Sequence, residues 1–256
     1  MLGNSPFFII GCVRSGTTLL RDVLRNHPRL AAPEETHFFR WAEPFGGTPY
    51  RKMVSDNRVL KRHREMDGID ESEFQMVLDQ SISRADLYCR YMQLYIKKNK
   101  PGAQRWFDKT PQNVYGAAMI AGEMPAAKLI HIIRHPMDVV SSLRIGKVVK
   151  VQSVVGACNY WTEAAEIVQV IKMAYPHRVY ELKYENFTRE PLIEIEKMLA
   201  FLGEDFKPAI YQHIETKPIS HNHENLFSEQ ESHQIERLCR RWGIHYGYLE
   251  ASSEIE

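Results

Sequence analysis

Residues 7–24 read FFIIGCVRSGTTLLRDVL and indicate the fold class of the chain. An apolar run typical of a buried strand ends at Gly11, and a helical pattern of apolar residues begins at Thr17. The turn between them matches the phosphate-binding template G-x-x-x-x-G-K-[ST] at every position except one, because Thr17 stands where the lysine is expected. Such a turn aims backbone N–H groups at one point near a helix N-terminus, so the sequence predicts an anion site there.

Strand-like and helix-like segments alternate along the rest of the chain. The predicted strands cover residues 6–13, 128–134 and 178–184. The predicted helices cover residues 17–26, 71–98, 136–144, 152–174, 191–202 and 229–242. This alternation predicts a P-loop-type α/β fold of three layers, with a central parallel sheet flanked by helices.

The sequence predicts one domain over residues 1–256, with a helical insertion at about residues 46–100. Within that insertion, residues 46–70 are polar and rich in Arg and Lys, which is typical of a mobile or loosely helical surface segment. The basic residues at 51–64 could attract an acidic peptide.

The composition is that of an ordinary globular protein. The 256 residues carry a formal net charge of +1, so bulk charge gives no reason to expect nucleic acid or an anionic membrane as a partner. The four cysteines lie far apart in the sequence, which is expected of reduced thiols in a cytoplasmic chain. No signal-peptide pattern and no apolar stretch of membrane-spanning length is present, so we expect a cytoplasmic protein.

The missing lysine bears on which anion the turn binds. In nucleotide triphosphatases that lysine contacts the terminal phosphates and the next Ser or Thr holds magnesium, whereas Thr17 offers a neutral hydroxyl. No acidic metal ligand stands at the end of a predicted strand. We therefore expect a group with less charge than a magnesium-bound triphosphate, such as a sulfuryl group on a phosphate. Arg14 would add a bidentate fork to the turn, and Ser15 and Thr18 would add further hydroxyl donors.

Four segments carry a resemblance to a known family. They are RSGTT (residues 14–18), FDKTP (107–111), IIRHPMDVVSS (132–142) and LKYENF (182–187). In this order they resemble the 5′-phosphosulfate loop, the lysine-containing segment, the 3′-phosphate segment and the strand-end tyrosine motif of sulfotransferases that use 3′-phosphoadenosine 5′-phosphosulfate (PAPS). Locally, AAPEETH (residues 31–37) is most similar to the Glu-Glu-Thr segment of tyrosylprotein sulfotransferases. Bacterial small-molecule sulfotransferases share the general pattern.

The resemblance implies a reaction and roles for individual residues. A sulfuryl group would move from PAPS by in-line displacement, without a metal ion, to a hydroxyl or phenol acceptor that is a small molecule or a peptide. Glu35 would be the general base, with Glu34 and His37 as alternatives, and Arg14 and Lys109 would stabilise charge on the transferring group. The residues implied in binding PAPS are Arg14, Ser15, Gly16, Thr17, Thr18, Arg134, Ser142, Tyr184, Lys217 and Ser220.

Other residue patterns are less specific. Arg144 or Lys147 would be the basic residue that the family has after its 3′-phosphate serine. The segment from His221 to His223 lacks a third metal ligand and is interpreted as a polar loop. Three tryptophans are interpreted as core residues rather than stacking partners for adenine: Trp41, Trp106 and Trp161.

Two other functions are compatible with the loop. The first is a nucleotide kinase or triphosphatase on the same fold, which would need a lysine and magnesium ligands from elsewhere in the chain. The second is a catalytically silent nucleotide-binding protein, and the presence of both Glu35 and Lys109 argues against it.

Overall fold

The computed structural model describes residues 5–146, 149–214 and 226–251. Its strands are β1 (Phe7–Ile10), β2 (Leu30–Ala31), β3 (Arg105–Lys109), β4 (Lys128–Ile133) and β5 (Val179–Lys183). They form one parallel sheet in the order β2-β3-β1-β4-β5. Because all of these strands run in the same direction, their carboxyl ends open at one edge of the sheet, where ligands bind in such folds.

Helices connect the strands and cover both faces of the sheet. They are α1 (Thr17–Arg25), α2 (Thr48–Ser55), α3 (Arg58–Met66), α4 (Glu71–Gln80), α5 (Arg84–Asn99), α6 (Ala117–Glu123), α7 (Pro136–Ile145), α8 (Val154–Ala174), α9 (Tyr184–Arg189), α10 (Pro191–Leu202), α11 (Pro208–Tyr211) and α12 (Glu229–His245). Two 3₁₀ helices cover Pro111–Gly116 and Pro176–Arg178. No helix within the described ranges has the length and apolar character that crossing a bilayer requires.

The central strand β1 shows why the fold has three layers. Phe7 and Ile9 belong to a core that includes residues of α1 and α10, whereas Phe8 and Ile10 belong to a second core with α5, α8 and α12. Successive side chains of a strand point to opposite faces, so an uninterrupted apolar strand requires cover on both sides. The predicted α/β fold with a central parallel sheet flanked by helices is confirmed.

The sequence patterns missed two strands, β2 and β3. The strand β2 has only two residues, and β3 reads RWFDK, which contains no apolar run. The charged residues of β3 are nevertheless buried, because each has a polar partner inside the fold. Arg105, for example, donates to Leu202 O at 2.8 Å and to Glu204 Oε1 at 3.2 Å.

The polar segment 46–70 was predicted to be mobile or loosely helical. The structure instead shows two regular helices there, α2 and α3. Arg64 anchors α3 by donating to Val54 O at 3.0 Å and by pairing with Glu71 at 2.6 Å, and it is 3% exposed. The predicted helix 71–98 is likewise two helices, α4 and α5, and Ser83 caps the second by accepting from Asp86 N at 3.1 Å. The extent of the domain stays a prediction.

The turn after β1 has an unusual backbone that brings a tyrosine ring close to it. Gly11, Arg14 and Gly16 all have positive φ angles, of 139°, 72° and 95°. A Cβ at Gly16 would lie 2.3 Å from Cδ2 of Tyr184, the first residue after β5. Glycine is therefore required at this position both for the backbone conformation and for the approach of the ring.

We expect Gly16→Ala to lower the free energy of unfolding by about 2 kcal/mol or more, because the new methyl group overlaps the Tyr184 ring and the backbone is left-handed. Urea denaturation measures the change. Gly122→Ala is the matched control, since nothing lies within 4 Å of a Cβ at Gly122 in α6. The control should be neutral or up to about 1 kcal/mol more stable. Equal stability of the two variants would contradict this account of the turn.

Candidate active site

Each strand of the sheet brings one of the sequence-predicted site residues to the same edge. Arg14 follows β1, Glu35 follows β2, Lys109 ends β3, Arg134 follows β4 and Tyr184 follows β5. Given the strand order, Glu35 and Lys109 lie on one side of the β1 turn, and Arg134 and Tyr184 lie on the other. The turn therefore stands between two groups of side chains with different chemistry.

On the first side, a buried lysine connects the turn to a carboxylate. Lys109 is 2% exposed, and its ammonium group donates to Glu35 Oε1 and to Thr18 Oγ1, the latter at 3.3 Å. The second carboxylate oxygen of Glu35 lies 3.3 Å from Nε2 of His37. Glu35 thus lies between a cation and an imidazole, with a quarter of its side chain exposed.

These contacts determine the protonation states of Glu35 and His37. Burial alone would raise the pKa of Glu35, but the hydrogen bond from His37 and the charge and hydrogen bond of Lys109 lower it to about 2. Burial lowers the pKa of His37, although Glu35 opposes that change. Near neutral pH, Glu35 is consequently ionised and His37 is neutral.

Glu34 lies in a different network from its neighbour. Its carboxylate pairs with Arg21 at 2.5 Å and with Arg25 at 3.1 Å, both on α1. Its backbone N–H donates to Asp67 Oδ1 at 2.9 Å. Glu34 therefore connects the loop after β2 to α1. Of the three candidate bases, Glu35 alone has a hydrogen bond with Lys109 among the described residues.

Sequence reasoning missed a buried carboxylate that positions this side of the site. Asp108 is fully buried, and its Oδ2 accepts from Thr36 Oγ1 at 3.1 Å and from Thr110 Oγ1 at 3.2 Å. Its Oδ1 accepts from Asn113 Nδ2 at 3.0 Å. The two threonines directly follow Glu35 and Lys109, so Asp108 ties the two loops together. Burial raises the pKa of Asp108 to about 6, against the hydrogen bonds that lower it.

On the second side, an arginine and a tyrosine pack against the turn. The Arg134 guanidinium lies 4.7 Å from the centroid of the Tyr184 ring, and its Nη2 is 3.5 Å from Asp138 Oδ2. Its backbone carbonyl accepts from Trp161 Nε1 at 2.9 Å, which fixes the end of β4. These contacts, together with the approach of Tyr184 to Gly16, hold Arg134 beside the turn.

The turn also contacts α7 directly. Arg14 Nε donates to Ser142 Oγ at 2.9 Å, so the structure brings together a residue predicted for the 5′ end of the nucleotide and one predicted for the 3′ end. Ser142 lies in α7, whose first turn follows Arg134 closely. Ser142 therefore contacts the turn directly, whereas Arg134 is connected to it through the Tyr184 ring, and their shared binding of a 3′-phosphate stays a prediction.

Two polar atoms at the turn have no hydrogen-bond partner among the described residues. They are the buried Oγ of Ser15 and the buried Nε of Arg134. Buried polar groups are normally paired, and an unpaired one in a native structure calls for an explanation. Both can donate, so an anionic group in the turn would give Ser15 a partner, and an anionic group beside β4 would give Arg134 one. The residues fit a phosphate or sulfuryl group at each place.

Other predicted residues are less closely connected to this edge. Lys217, Ser220, the His221–His223 segment and Lys147 lie outside the described residues. Arg144, the alternative to Lys147, pairs with Glu231 at 2.6 Å. The described part of the chain contains no group of three or more His, Cys, Asp and Glu residues that could hold a metal ion.

A cleft of about 430 Å³ opens beside Glu35 and His37. It is lined by Glu35, His37, Arg40, Trp41, Asn57, Val59, Leu60, His63, Gln112, Val149, Lys150 and Tyr160. Trp106 and Trp161 are core residues as predicted, at 3% and 1% exposure. Trp41 is different, because it is only half-buried and contributes one wall of the cleft.

The fold and the turn at its centre define a P-loop-type α/β protein. A family model described as "Sulfotransferase family" matches residues 6–208, most of the chain, and the chain belongs to this family.

Two named proteins are similar to the chain, and the name of the first agrees with this family. The chain is 24% identical to protein-tyrosine sulfotransferase 1 of Danio rerio over 212 residues, which cover 81% of the chain and 56% of that protein. It is 28% identical to nodulation protein NoeE of Sinorhizobium fredii over 138 residues, which cover 54% of the chain and 30% of that protein. The chain therefore spans about half or less of the length of these two relatives.

Solved structures share the fold. The sulfotransferase domain of the Synechococcus PCC 7002 olefin synthase has a TM-score of 0.64 at 22% identity and covers 99% of this chain and 91% of its own. Mouse sulfotransferase SULT7A1, solved in complex with PAP, has a TM-score of 0.54 at 14% identity. The matched region covers 91% of this chain and 82% of the mouse chain.

Asp108 should make the free energy of unfolding depend on pH. Its folded-state pKa of about 6 lies above the ordinary value of 3.8, so its stabilising contribution is present below pH 4 and is lost as the pH rises through 6. The advantage of the wild type over Asp108→Asn should therefore shrink by on the order of 3 kcal/mol between pH 4 and pH 7.

Urea titrations of both proteins across that range measure this difference. Asp79→Asn, which removes an exposed carboxylate from α4, controls for the loss of one negative charge. A constant difference between the wild type and Asp108→Asn would contradict the raised pKa.

Proposed function

We propose that this chain is a PAPS-dependent sulfotransferase that transfers a sulfuryl group to a hydroxyl or phenol acceptor, with Glu35 as the general base. The observation that carries the proposal is the contact of Lys109 with both Glu35 and Thr18. A lysine that is shared between the anion-binding turn and a carboxylate at the mouth of a cleft suits the transfer of an anionic group to a bound hydroxyl.

The donor side of the proposal rests on the β1 turn and its neighbours. The turn amides, Ser15 and the α1 N-terminus suit the 5′ end of the nucleotide, and the free Nε of Arg134 suits the 3′-phosphate. PAP, the nucleotide present in the mouse structure, is the product that PAPS would leave. When bound, PAPS would supply the sulfuryl group and a leaving group whose charge can be stabilised. Lys217 and Ser220 keep their predicted nucleotide contacts as proposals from the resemblance.

The acceptor side rests on the ionised state of Glu35. Its carboxylate is ready to accept a proton near neutral pH, and its low pKa makes it a weak base while Lys109 stays bound to it. Lys109 can transfer its hydrogen bond from Glu35 to the negative charge that develops on the leaving oxygen. That movement would free Glu35 and raise its basicity as the acceptor hydroxyl loses its proton.

His37 has a supporting role in this scheme. It is neutral, 5% exposed and 3.3 Å from Glu35 Oε2, so it can donate a hydrogen bond that orients the carboxylate. We therefore assign His37 as a positioning residue and retain Glu35 as the base.

Titration of the protein by calorimetry tests the choice of donor. Adenosine 3′,5′-bisphosphate should bind, and ATP–Mg should bind more weakly, because Thr17 replaces the lysine that triphosphates require. Tighter binding of ATP–Mg would favour a kinase or triphosphatase. Tight bisphosphate binding without transfer to any acceptor would favour a catalytically silent nucleotide-binding protein.

Arg134→Ala separates recognition of the 3′-phosphate from binding of the rest of the nucleotide. We expect the Kd for adenosine 3′,5′-bisphosphate to rise by about tenfold or more, since a charge-assisted hydrogen bond is lost. The Kd for adenosine 5′-monophosphate, which lacks the 3′-phosphate, should change much less. Equal weakening for both nucleotides would contradict the role given to Arg134.

Activity measurements distinguish Glu35 from His37. Glu35→Gln should lower kcat by about a hundredfold or more, which is typical of losing a general base, and His37→Gln should lower it less. With a Glu35 pKa of about 2, kcat/KM should show no fall on the acid side between pH 7 and pH 5. A larger loss in His37→Gln, together with a kcat/KM that falls on the acid side, would make His37 the base.

A further inference from the structure

One wall of the cleft beside Glu35 consists of aromatic rings. The His37 ring lies 6.0 Å from that of Trp41 and 6.4 Å from that of His63, with interplanar angles of 33° and 16°. Tyr160 adds a further ring to the lining. Roughly parallel rings at the surface of a cleft favour a planar partner that can lie against them.

The charges around the cleft are predominantly positive. Arg40 and Lys150 both line it, whereas Glu35 is the single carboxylate among its described lining residues and is already paired with Lys109. Neither Arg40 nor Lys150 has a carboxylate partner among the residues that the structure describes. The Arg40 guanidinium lies 5.7 Å from the Trp41 ring centroid, so its charge borders the aromatic wall.

The basic segment 51–64 is a weaker candidate for attracting an anion. Arg51 pairs with Asp79, and Arg64 is buried against Glu71, so their charges are neutralised locally. Neither residue lines the cleft. The positive charge that faces the cleft comes instead from Arg40 and Lys150.

We propose that the acceptor is a small aromatic hydroxyl compound that carries an anionic group, such as a phenol with a carboxylate-bearing side chain. The proposal rests on the proposed function, because Glu35 marks where the hydroxyl lies. The ring lies against His37, Trp41 and His63, and the anion is bound by Arg40 and Lys150. A volume of about 430 Å³ is in the range of small-ligand sites rather than of surfaces that bind folded proteins.

The test compares three phenols that differ mainly in charge: 3-(4-hydroxyphenyl)propanoate, 4-ethylphenol and tyramine. Calorimetry measures their Kd values for the whole protein with and without adenosine 3′,5′-bisphosphate, and initial rates with PAPS give their KM values. The carboxylated phenol should bind about tenfold more tightly than 4-ethylphenol, as expected for one charge-assisted contact, and tyramine should bind most weakly.

Arg40→Gln and Lys150→Gln test the assigned residues. Each should reduce the preference for the carboxylated phenol over 4-ethylphenol, through Kd and KM more than through kcat. Arg62→Gln removes an exposed arginine of α3 outside the cleft lining and should keep the wild-type preference. Equal Kd values for the three phenols in the wild type, or an unchanged preference in both cleft variants, would overturn the inference.

The proposed function and the proposed acceptor class are contradicted by different results. Absence of bisphosphate binding would defeat the proposed function, while titration of the phenols without nucleotide would still report the charge preference of the cleft. Conversely, efficient transfer to 4-ethylphenol and tyramine but not to the carboxylated phenol would keep the sulfotransferase and defeat the inference. Preference for an acidic tyrosine peptide over all three phenols would also defeat it, in favour of a peptide acceptor.

Discussion

The buried ammonium group of Lys109 is the constraint on which the site depends. A charge that is 2% exposed is costly unless it is paired and hydrogen-bonded, and Lys109 obtains both from Glu35 and Thr18. The pairing holds the loop after β2 against the end of β3 and against the first turn of α1. The same contacts lower the pKa of Glu35 to about 2 and keep it ionised, so the pairing that stabilises the site also prepares its proposed base.

Sequence patterns predicted the β1 turn well, because its residues are neighbours along the chain and their chemistry is local. The resemblance to the family indicated Lys109 and Arg134 as candidate site residues. No pattern predicted the strand β3, because its sequence RWFDK has no apolar run. Asp108 was missed for the same reason. Its burial is possible only because Thr36, Thr110 and Asn113 satisfy it, and no local pattern shows that these side chains meet.

Among the residues that the structure describes, two other than glycine have left-handed backbone conformations, and both lie at the candidate site. Arg14 has φ 72° and His37 has φ 58°. Such conformations are unfavourable for residues with a Cβ, and they persist where the surrounding structure determines them. Arg14 thereby reaches Ser142, and His37 reaches Glu35. The strain lies where it orients side chains toward the β1 turn and toward the cleft.

The order of the strands separates the residues proposed to bind the 3′-phosphate from the residues proposed to act on the acceptor. Asp108 connects the loops of Glu35 and Lys109 on the β2–β3 side, whereas the contact of Arg14 with Ser142 connects the turn to α7 on the β4 side. The turn after β1 touches both groups, through Thr18 and through Arg14. An anion bound in that turn would therefore be the physical link between the proposed 3′-phosphate contacts and the proposed base, which the cleft borders. The cleft borders the proposed base, but Lys150 and Tyr160 reach it from the chain after α7 and β4. Both sides of the sheet edge would therefore contribute to selecting the proposed acceptor, because the same α7 also supplies Ser142 to the turn.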